Sequence, residues 1–323
     1  MTMHRRRLLQ SAGAGLAILA LSGTAWPQTF PTRPVTLIVP FSAGGSNDVT
    51  SRALAKATQK YLGQPIVIDN VTGAGGIIGA TRAAEAKPDG YTLVTTVMSV
   101  LLAPDLGKTP YDSTTDFTFI RGVFEFAAGV VVKSDAPWRT FQEFLEYAKA
   151  NPGKVNYAAS GIGTMQHIAM QRIAKLRGIQ WSHVPYRGDP ESFNALLGGH
   201  LDAVGTTSSW AELVDSGQLR LLVTWGEQRT TRWPNVPTLK ETGLNLSVRV
   251  PYGISGPKGM NAGVVKVLHD ALQKGAQEPE FIATLKQLDE EALDLNSGGY
   301  RALALEQIAA NRVAIEEMGL RSP

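Results

Sequence analysis

Cysteine is absent from the 323 residues of this sequence. Disulfides, thiolate metal sites, a cysteine nucleophile and a lipidated N-terminal cysteine are therefore excluded. Long apolar runs are also missing, since the stretch Ala12–Leu21 is about half of the ~20 residues that a membrane-spanning helix needs. The net charge of +3 is supplied by Arg5, Arg6 and Arg7, because residues 1–27 contain no acidic residue. The rest of the chain is balanced and gives no support for nucleic-acid binding.

The N-terminus has the three parts of an export signal. A basic segment, His4–Arg7, precedes the apolar stretch Ala12–Leu21, and the small residues Ser22–Ala25 suit a signal peptidase. We expect residues 1–27 to be removed, with cleavage near Ala25, and the short apolar stretch disfavours the alternative of a membrane anchor. Adjacent arginines before two leucines also fit a twin-arginine signal, so the export route stays open. The mature protein is expected to be soluble outside the cytoplasm, without access to ATP or NAD.

Length and composition predict a folded protein with two lobes, since single cores stop growing near ~250–300 residues and 43% of the residues are hydrophobic. Short β-branched runs bounded by turn residues alternate with helical patterns, which predicts an α/β fold with mainly parallel sheets covered on both faces. The predicted strands are Val35–Val39, Ile66–Asn70, Tyr91–Val97, Val130–Lys133, Val155–Ala158 and Leu219–Val223.

Capping signals predict where several helices begin. Thr140 and Glu143 have the spacing of a capping box, and the helix that follows should end at Asn151. Asp189 before a first-turn proline is typical of an N-cap, and Gly198 should end that helix. The pattern from residue 261 to residue 318 is helical throughout.

Three glycine-rich turns each join a predicted strand to a helix start: Pro40–Asp48, Asn70–Gly76 and Ala158–Thr164. Glycine lets the backbone approach a ligand closely, and the free N–H groups and dipole of a helix N-terminus favour an anion. Any one of these turns could be an ordinary connector. Three of them at the same ends of sheet strands predict an anion site built without cationic side chains.

Common enzyme motifs are missing. The glycines from Gly73 to Gly79 do not have the dinucleotide spacing, no P-loop occurs, and Ser160 lacks the first glycine of a nucleophile elbow. No two histidines have the spacing of a helical zinc site, so we expect neither a cofactor nor a metal. Asp48 could act as a general base, but a carboxylate in a first helical turn is more simply a dipole partner. Arg187 could bind a carboxylate bidentately or be a solvated loop residue.

Several longer motifs follow one another in a fixed order: Phe30–Pro34, Val39–Arg52, Asn70–Gly76, Lys87–Leu93, Gly163–His167, His183–Gly188, Leu196–Asp202 and Pro234–Gly243. In these motifs, along nearly its whole mature length, the chain resembles the periplasmic solute-binding receptors of tripartite tricarboxylate transporters, the Bug receptors. Three departures are Ser51 for the usual alanine, Val71-Thr72 for Arg-Pro, and Asn235 for aspartate.

The resemblance implies a type II periplasmic-binding-protein fold with the ligand in the cleft between two lobes. We assign residues 28–123 and 226–323 to lobe 1 and residues 124–225 to lobe 2, with crossings near Phe119–Phe126 and Leu219–Val223. The protein would be a periplasmic monomer that delivers a small carboxylate to the membrane permease subunits of such a transporter. The implied ligand-binding residues are Phe41, Ser42, Ala43, Gly44, Asn47, Asp48, Thr72, Gly73, Ala74 and Gly75 in lobe 1, and Ser160, Thr164, Thr206 and Thr207 in lobe 2.

The resemblance also suggests a ligand class. Members that bind amino acids need an acid facing the ligand ammonium, often after the strand that follows the Asp202 position, and the segment 203–210 contains none. This favours a dicarboxylate or an aromatic carboxylate, citrate-like or terephthalate-like, over aspartate or glutamate. An exported enzyme using the same cleft is the main alternative, and a structural adhesion module is a third possibility.

Overall fold

A computed structural model describes residues 30–317 and 319–321, so the expected export signal lies outside the described residues. The strands are β1 Val35–Val39, β2 Ile66–Asn70, β3 Thr92–Val97, β4 Phe117–Glu125, β5 Ala128–Lys133, β6 Asn156–Ala158, β7 Ser182–His183, β8 Ala203–Thr207, β9 Leu219–Thr224, β10 Pro251–Pro257 and β11 Glu291–Leu295. The helices are α1 Ser46–Leu62, α2 Ile77–Ala84, α3 Met98–Leu106, α4 Phe141–Ala150, α5 Met165–Arg177, α6 Asp189–Leu197, α7 Ala211–Asp215, α8 Ala262–Ala276, α9 Pro279–Leu288 and α10 Ser297–Glu317. In this part of the chain, none of the helices combines the length and the hydropathy that crossing a bilayer requires.

Two sheets form the centres of the two lobes. The first has the strand order β11-β4-β10-β3-β1-β2 and the second the order β7-β6-β8-β5-β9. The chain passes from the first sheet to the second between Glu125 and Ala128, and it returns between Thr224 and Pro251. The bounds assigned to the two lobes from the sequence stay a prediction.

The sheets are mixed, whereas the sequence pattern predicts mainly parallel ones. β1 is parallel to β2 and β3, but β10 is antiparallel to β3 and β4. In the second sheet β6 is parallel to β7 and β8, whereas β5 is antiparallel to β8 and β9. Parallel neighbours require a crossover connection, and several of the antiparallel strands instead lie where the chain passes between the lobes.

The strand predictions for β1 and β2 agree with the structure to the residue. β1 lies between two neighbouring strands, and four of its five residues are buried and apolar, the exception being Thr36. The C-terminal region differs from the expectation of continuous helix, because β11 interrupts it and pairs with β4 at the sheet edge. Five residues with two half-buried leucines, Leu293 and Leu295, are too few to stand out from the helical pattern on both sides.

The predicted capping box at α4 forms only in part. Thr140 Oγ1 accepts the N–H of Glu143 at 3.2 Å, as expected, but the Glu143 carboxylate accepts the N–H of Arg139 at 2.6 Å. The carboxylate therefore accepts the backbone N–H of the residue before the N-cap, and not that of the N-cap residue Thr140 as a complete capping box would require. A continuous apolar core underlies both lobes, with Trp225, Tyr252 and Phe124 among its largest fully buried side chains.

Candidate ligand-binding site

Three glycine turns from the two lobes meet at one place. The first turn joins β1 to α1, the second joins β2 to α2, and the third joins β6 to α5. A Cβ on Gly75 of the second turn would lie 2.7 Å from the carbonyl oxygen of Ile162 in the third. A Cβ on Gly161 would lie 3.6 Å from Gly75 Cα. The backbones of the two lobes are thus in direct contact here, at a distance that only glycine permits.

Two adjoining cavities lie between these turns. An inner cavity of ≈ 40 Å3 and an outer cavity of ≈ 210 Å3 share Phe41 and Ser160 in their linings. The other inner lining residues are Ser42, Gly45, Ser46, Asn47, Val97, Ser99, Phe126, Gln166, Gly188, Asp189, Thr207 and Val250. The other outer lining residues are Pro40, Gly73, Ala74, Gly75, Gly76, Gly161, Ile162, Pro185, Tyr186 and Arg187.

The first turn presents the N-terminus of α1 to the inner cavity. Gly45 is the N-cap of this helix, and no side chain accepts a hydrogen bond from the first turn. Ser46 and Asn47, the first two residues of α1, are both buried and line the cavity. The unpaired N–H groups at this end of a long helix, together with its dipole, favour an anion.

Asp48 lies outside both cavities and holds the first two turns together. Its carboxylate accepts the Gly44 N–H at 2.9 Å and the side-chain amide of Asn70 at 3.0 Å, and it pairs with Arg52 at 2.9 Å. Asn70 also donates to the Phe41 carbonyl at 3.0 Å. Burial opposes the charge of Asp48, but the hydrogen bonds from Arg52, Gly44 and Asn70 outweigh it and hold the pKa below its ordinary value of 3.8. Asp48 is therefore a positioning residue, and no cavity gives it access to a substrate proton.

The second turn has an unusual backbone. Gly73, Gly75 and Gly76 have φ values of 128°, 65° and 104°, and Ala74 has φ 48°. A 3₁₀ turn over Ala74–Gly76 leads into α2, whose N-terminus also has no side-chain cap. All four of these residues line the outer cavity, and Gly73, Ala74 and Gly75 are the three that the sequence predicted as ligand contacts.

Asp189 is the residue that the sequence analysis did not assign to the site. The helix it was expected to cap has Gly188 as its N-cap, and the Asp189 side chain makes no capping hydrogen bond. The carboxylate instead lines the inner cavity, where it accepts hydrogen bonds from Ser160 at 2.7 Å and from Thr206 and Ser209 at 2.6 Å each. The Asp-Pro dipeptide that suggested a cap was the available signal.

Asp189 also bears on the ligand class expected from the sequence. That expectation rested on the lack of an acid in the segment after Asp202, and this segment indeed presents hydroxyls. The hydroxyls of Thr206 and Ser209, however, donate to the carboxylate of Asp189. The cavity therefore contains an acid that another element contributes, and the ligand class expected from the sequence stays a prediction.

Eight of the residues expected to bind ligand line the cavities: Phe41, Ser42, Asn47, Gly73, Ala74, Gly75, Ser160 and Thr207. The other six are Ala43, Gly44, Asp48, Thr72, Thr164 and Thr206, which line neither cavity. Ala43 and Gly44 are exposed on the outside of the first turn, and Thr72 is half-buried.

Thr164 and Thr206 are fully buried and already have partners. Thr164 Oγ1 caps α5 by accepting the His167 N–H at 3.3 Å, and it donates to the Gly161 carbonyl at 2.8 Å. Thr206 donates to Asp189. Both residues shape the site from behind the lining.

Hydrogen bonds between the lobes surround the cavities. Ser42 Oγ donates to the Arg187 carbonyl at 3.1 Å, and the hydroxyls of Ser46 and Thr207 are 2.5 Å apart. Farther from the cavities, Ser208 of lobe 2 donates to the buried Glu290 of lobe 1 at 3.2 Å. The structure therefore has the two lobes in contact around an enclosed site.

The chemistry of the lining favours binding. The Ser160 hydroxyl, which lines both cavities, donates to the Asp189 carboxylate at 2.7 Å. His167 lies behind the third turn and accepts the Gly163 N–H at 3.3 Å. No group of residues in the described chain has the arrangement of a metal site.

Two lobes that enclose a polar site at their helix N-termini form the fold of a periplasmic binding protein. The structure of the periplasmic binding protein BugD superposes with a TM-score of 0.88 at 31% identity, covering 91% of this chain and 100% of that one. MatC from Rhodopseudomonas palustris, whose structure contains bound malate, has a TM-score of 0.84 at 27% identity over 88% of this chain and 100% of its own. The fold class expected from the sequence is thereby confirmed.

The sequence places the chain within one family of these proteins. The family model of the tripartite tricarboxylate transporter family receptor matches residues 50–320. A relative from Cupriavidus necator, the UPF0065 protein in gbd 5'region, is 41% identical over 323 residues, which is 98% of this chain and 99% of the relative. The chain belongs to the tripartite tricarboxylate transporter receptor family.

Proposed function

We propose that this protein is a periplasmic receptor that captures a small carboxylate between its lobes and delivers it to the membrane permease of a tripartite tricarboxylate transporter. The observation that supports this most directly is the contact of the second and third glycine turns, with Gly75 and Ile162 of different lobes meeting beside the cavities. A ligand held there would bridge both lobes and favour their closure.

The polar groups of the site suit a ligand carboxylate. Two helix N-termini of lobe 1 lack side-chain caps, and the cavities that they border are lined by the backbone of the glycine turns. Backbone donors at helix N-termini bind anions without a cationic side chain. The malate in the related MatC structure is a small carboxylate of this kind.

Location and partners follow from the same proposal. An export signal over residues 1–27 would place the mature chain in the periplasm as a soluble monomer, where it would meet the permease subunits. The lobe bounds given above and the fourteen ligand-binding residues are part of this proposal, with the eight that line the cavities as its direct contacts.

A thermal-shift panel of carboxylic acids tests the binding function. A ligand that binds only the folded form stabilises it by mass action, by about 2.7 kcal/mol when the free ligand concentration is a hundred times Kd. Tm rises as a result. The amide of each acid, which lacks the negative charge, is the matched control and should leave Tm unchanged. A panel in which acids and amides behave alike would refute carboxylate capture.

Turnover separates the receptor from the exported enzyme that remains the alternative. A receptor binds its ligand stoichiometrically, with a saturable closure signal, and returns it unchanged. The best ligand of the panel should therefore be recovered intact after prolonged incubation with the protein, as measured by NMR. Catalytic consumption of the ligand would establish the enzyme instead.

A further inference from the structure

The inner cavity contains one ionisable side chain among its described lining residues, the carboxylate of Asp189. It is buried, with 7% of the residue exposed, and it lies across the lobe interface from the first turn, since a Cβ on Gly45 would be 3.7 Å from Asp189 Oδ2. No lysine or arginine of the described chain lines this cavity to balance its charge. Asp189 lies in the first turn of α6, whose dipole favours a negative charge, and the hydroxyls that donate to it are neutral. Because buried charges in proteins are normally paired, a cationic group of the ligand would complete its surroundings.

The directions of the hydrogen bonds around Asp189 are fixed by chemistry. An ionised carboxylate only accepts, so the hydroxyls of Ser160, Thr206 and Ser209 each give their single proton to it. Ser160 lines both cavities and, having used its proton, can offer a ligand only lone pairs. Three hydrogen bonds also leave part of the carboxylate's capacity of about four acceptor sites unused.

Gln166 adds an independent acceptor. This residue is 6% exposed, lines the same cavity, and its side-chain carbonyl oxygen Oε1 has no hydrogen-bond partner among the described residues. Orphaned buried acceptors are rare in folded proteins because each one costs free energy. Asp189 and Ser160 make this wall of the cavity acceptor-rich, in contrast to the N–H groups at the start of α1, and the side-chain amide of Gln166 adds an acceptor together with two donors.

We propose that Asp189 selects ligands that bear an ammonium group beside their carboxylate, so that the physiological ligand is an amino acid. This rests on the proposed receptor function, since the ligand carboxylate is held at the helix N-termini while its ammonium group faces Asp189 and Gln166. An ammonium group supplies three donors and a positive charge, which matches a wall of acceptors with one negative charge. A second carboxylate at this wall would instead meet a like charge.

Matched ligand pairs test the proposal by titration calorimetry on the wild-type protein. The pairs are L-aspartate with succinate, L-glutamate with glutarate, and 4-(aminomethyl)benzoate with 4-methylbenzoate, each differing by an ammonium group. We expect the ammonium-bearing member of the best-bound pair to bind at least tenfold more tightly. Equal binding, or tighter binding of the partner without nitrogen, overturns the proposal and leaves carboxylate capture intact. A thermal-shift panel in which only acids without an ammonium group raise Tm overturns it in the same way.

Variants then locate the selectivity. Asp189→Asn keeps the shape and removes the charge, and it should abolish the preference by weakening the ammonium-bearing ligand at least tenfold while sparing its partner. Ser209→Ala removes one hydrogen bond to Asp189, lies outside the cavity lining, and should keep the preference. If Asp189→Asn weakens both members of a pair alike, Asp189 is only structural and the proposal fails. Gln166→Met, which removes the orphaned acceptor, provides a second variant and should reduce the preference in the same direction.

Discussion

Closure of the lobes can be tested at Gly75, where the second turn of lobe 1 touches the third turn of lobe 2. In Gly75→Ala the new Cβ would lie 2.7 Å from the Ile162 carbonyl oxygen, about 0.7 Å short of the 3.4 Å at which ordinary contact begins. The obstacle is backbone, which cannot rotate away as a side chain can. The variant should therefore resist the closed arrangement of the lobes.

The same substitution has a second effect that needs a control. Gly75 has φ 65°, and a non-glycine residue in this left-handed region costs about 1–2 kcal/mol wherever it occurs. Gly178, at the C-terminus of α5, has φ 64°, and a Cβ added there would meet nothing within 4 Å. Gly178→Ala thus has the same backbone strain without the clash between the lobes.

Comparison of the two variants isolates the contact between the lobes. Overpacking of a tight contact costs about 1–3 kcal/mol, which corresponds to a Kd raised roughly 5- to 150-fold in Gly75→Ala. Both variants should lose Tm through the shared strain, at roughly 2–4 °C per kcal/mol for a domain of this size, but Gly178→Ala should bind as tightly as wild type. Titration calorimetry with the best ligand and a thermal melt measure the two effects.

One result would refute the reasoning. If Gly75→Ala binds ligand with wild-type affinity while its Tm falls as in Gly178→Ala, the contact of Gly75 with Ile162 is not part of the ligand-bound state. The two turns would then not be in contact in either state, and the proposed site between the lobes would lose its main support.

Three further predictions concern charge. Asp48→Asn should lower the free energy of unfolding by about 2 kcal/mol at neutral pH, because it weakens hydrogen bonds to a charged acceptor. Since the pKa of Asp48 is lowered, the difference between wild type and variant should shrink as the pH falls below 3.8. Denaturant titrations measure both effects. Burial raises the pKa of Glu290 well above 4.5 despite hydrogen bonds from Thr50 and Ser208. The stability that the neutral carboxyl contributes below pH 4.5 is therefore lost as the pH rises through the raised pKa. Glu290→Gln should remove that loss in thermal melts. Burial and the neighbouring His167 lower the pKa of His183 from 6.5 to about 4, so stability is lost as pH falls from 6.5 towards 4, and His183→Phe should flatten this acid limb.

The last two predictions have opposite signs and therefore control for each other. Between pH 4.5 and pH 6.5, the raised pKa of Glu290 makes the protein less stable as the pH rises. Over the same range, the lowered pKa of His183 makes the protein more stable as the pH rises. In a plot of stability against pH, Glu290→Gln should remove only the decrease with rising pH, and His183→Phe only the increase. A Glu290→Gln profile parallel to that of wild type would contradict the buried neutral carboxyl, and an unchanged acid limb in His183→Phe would contradict the buried neutral imidazole.

The parts of the fold that the sequence predicted well are those with local causes. Apolar β-branched runs predicted β1 and β2. β1 lies between two strands and is largely buried and apolar, whereas β2, at the sheet edge, has a buried Ile66 beside an exposed Val67. The glycine turns were predicted for a similar reason, since positive φ values such as that of Gly75 are a property of the backbone at one position. Their meeting in space could be expected from the sheet ends, but the contact of Gly75 with Ile162 depends on how the two lobes close.

The sheet directions were predicted less well because they depend on distant pairings. β10 lies between β3 and β4, and both of these strands come much earlier in the chain. The residues Pro251–Pro257 themselves do not indicate that the strand is antiparallel to both. Similarly, β11 is a strand because β4 offers it an edge, and its own five residues do not show this.

Asp189 shows most clearly where local reasoning stops. An aspartate before a proline at a helix start is a good N-cap by every local rule, and the helix α6 does begin there. The Asp189 side chain nevertheless does not cap the helix, because it accepts hydrogen bonds from three hydroxyls instead of one backbone N–H. These hydroxyls belong to Ser160, Thr206 and Ser209, which are 29, 17 and 20 residues away along the chain. Three hydroxyls use more of the acceptor capacity of the carboxylate than a single capping N–H would, so tertiary structure decides the side chain while the backbone still obeys the local rule. For the proposed receptor, the glycine turns that would hold a carboxylate can be found in the sequence, whereas the position of Asp189 beside them follows only from the folded chain.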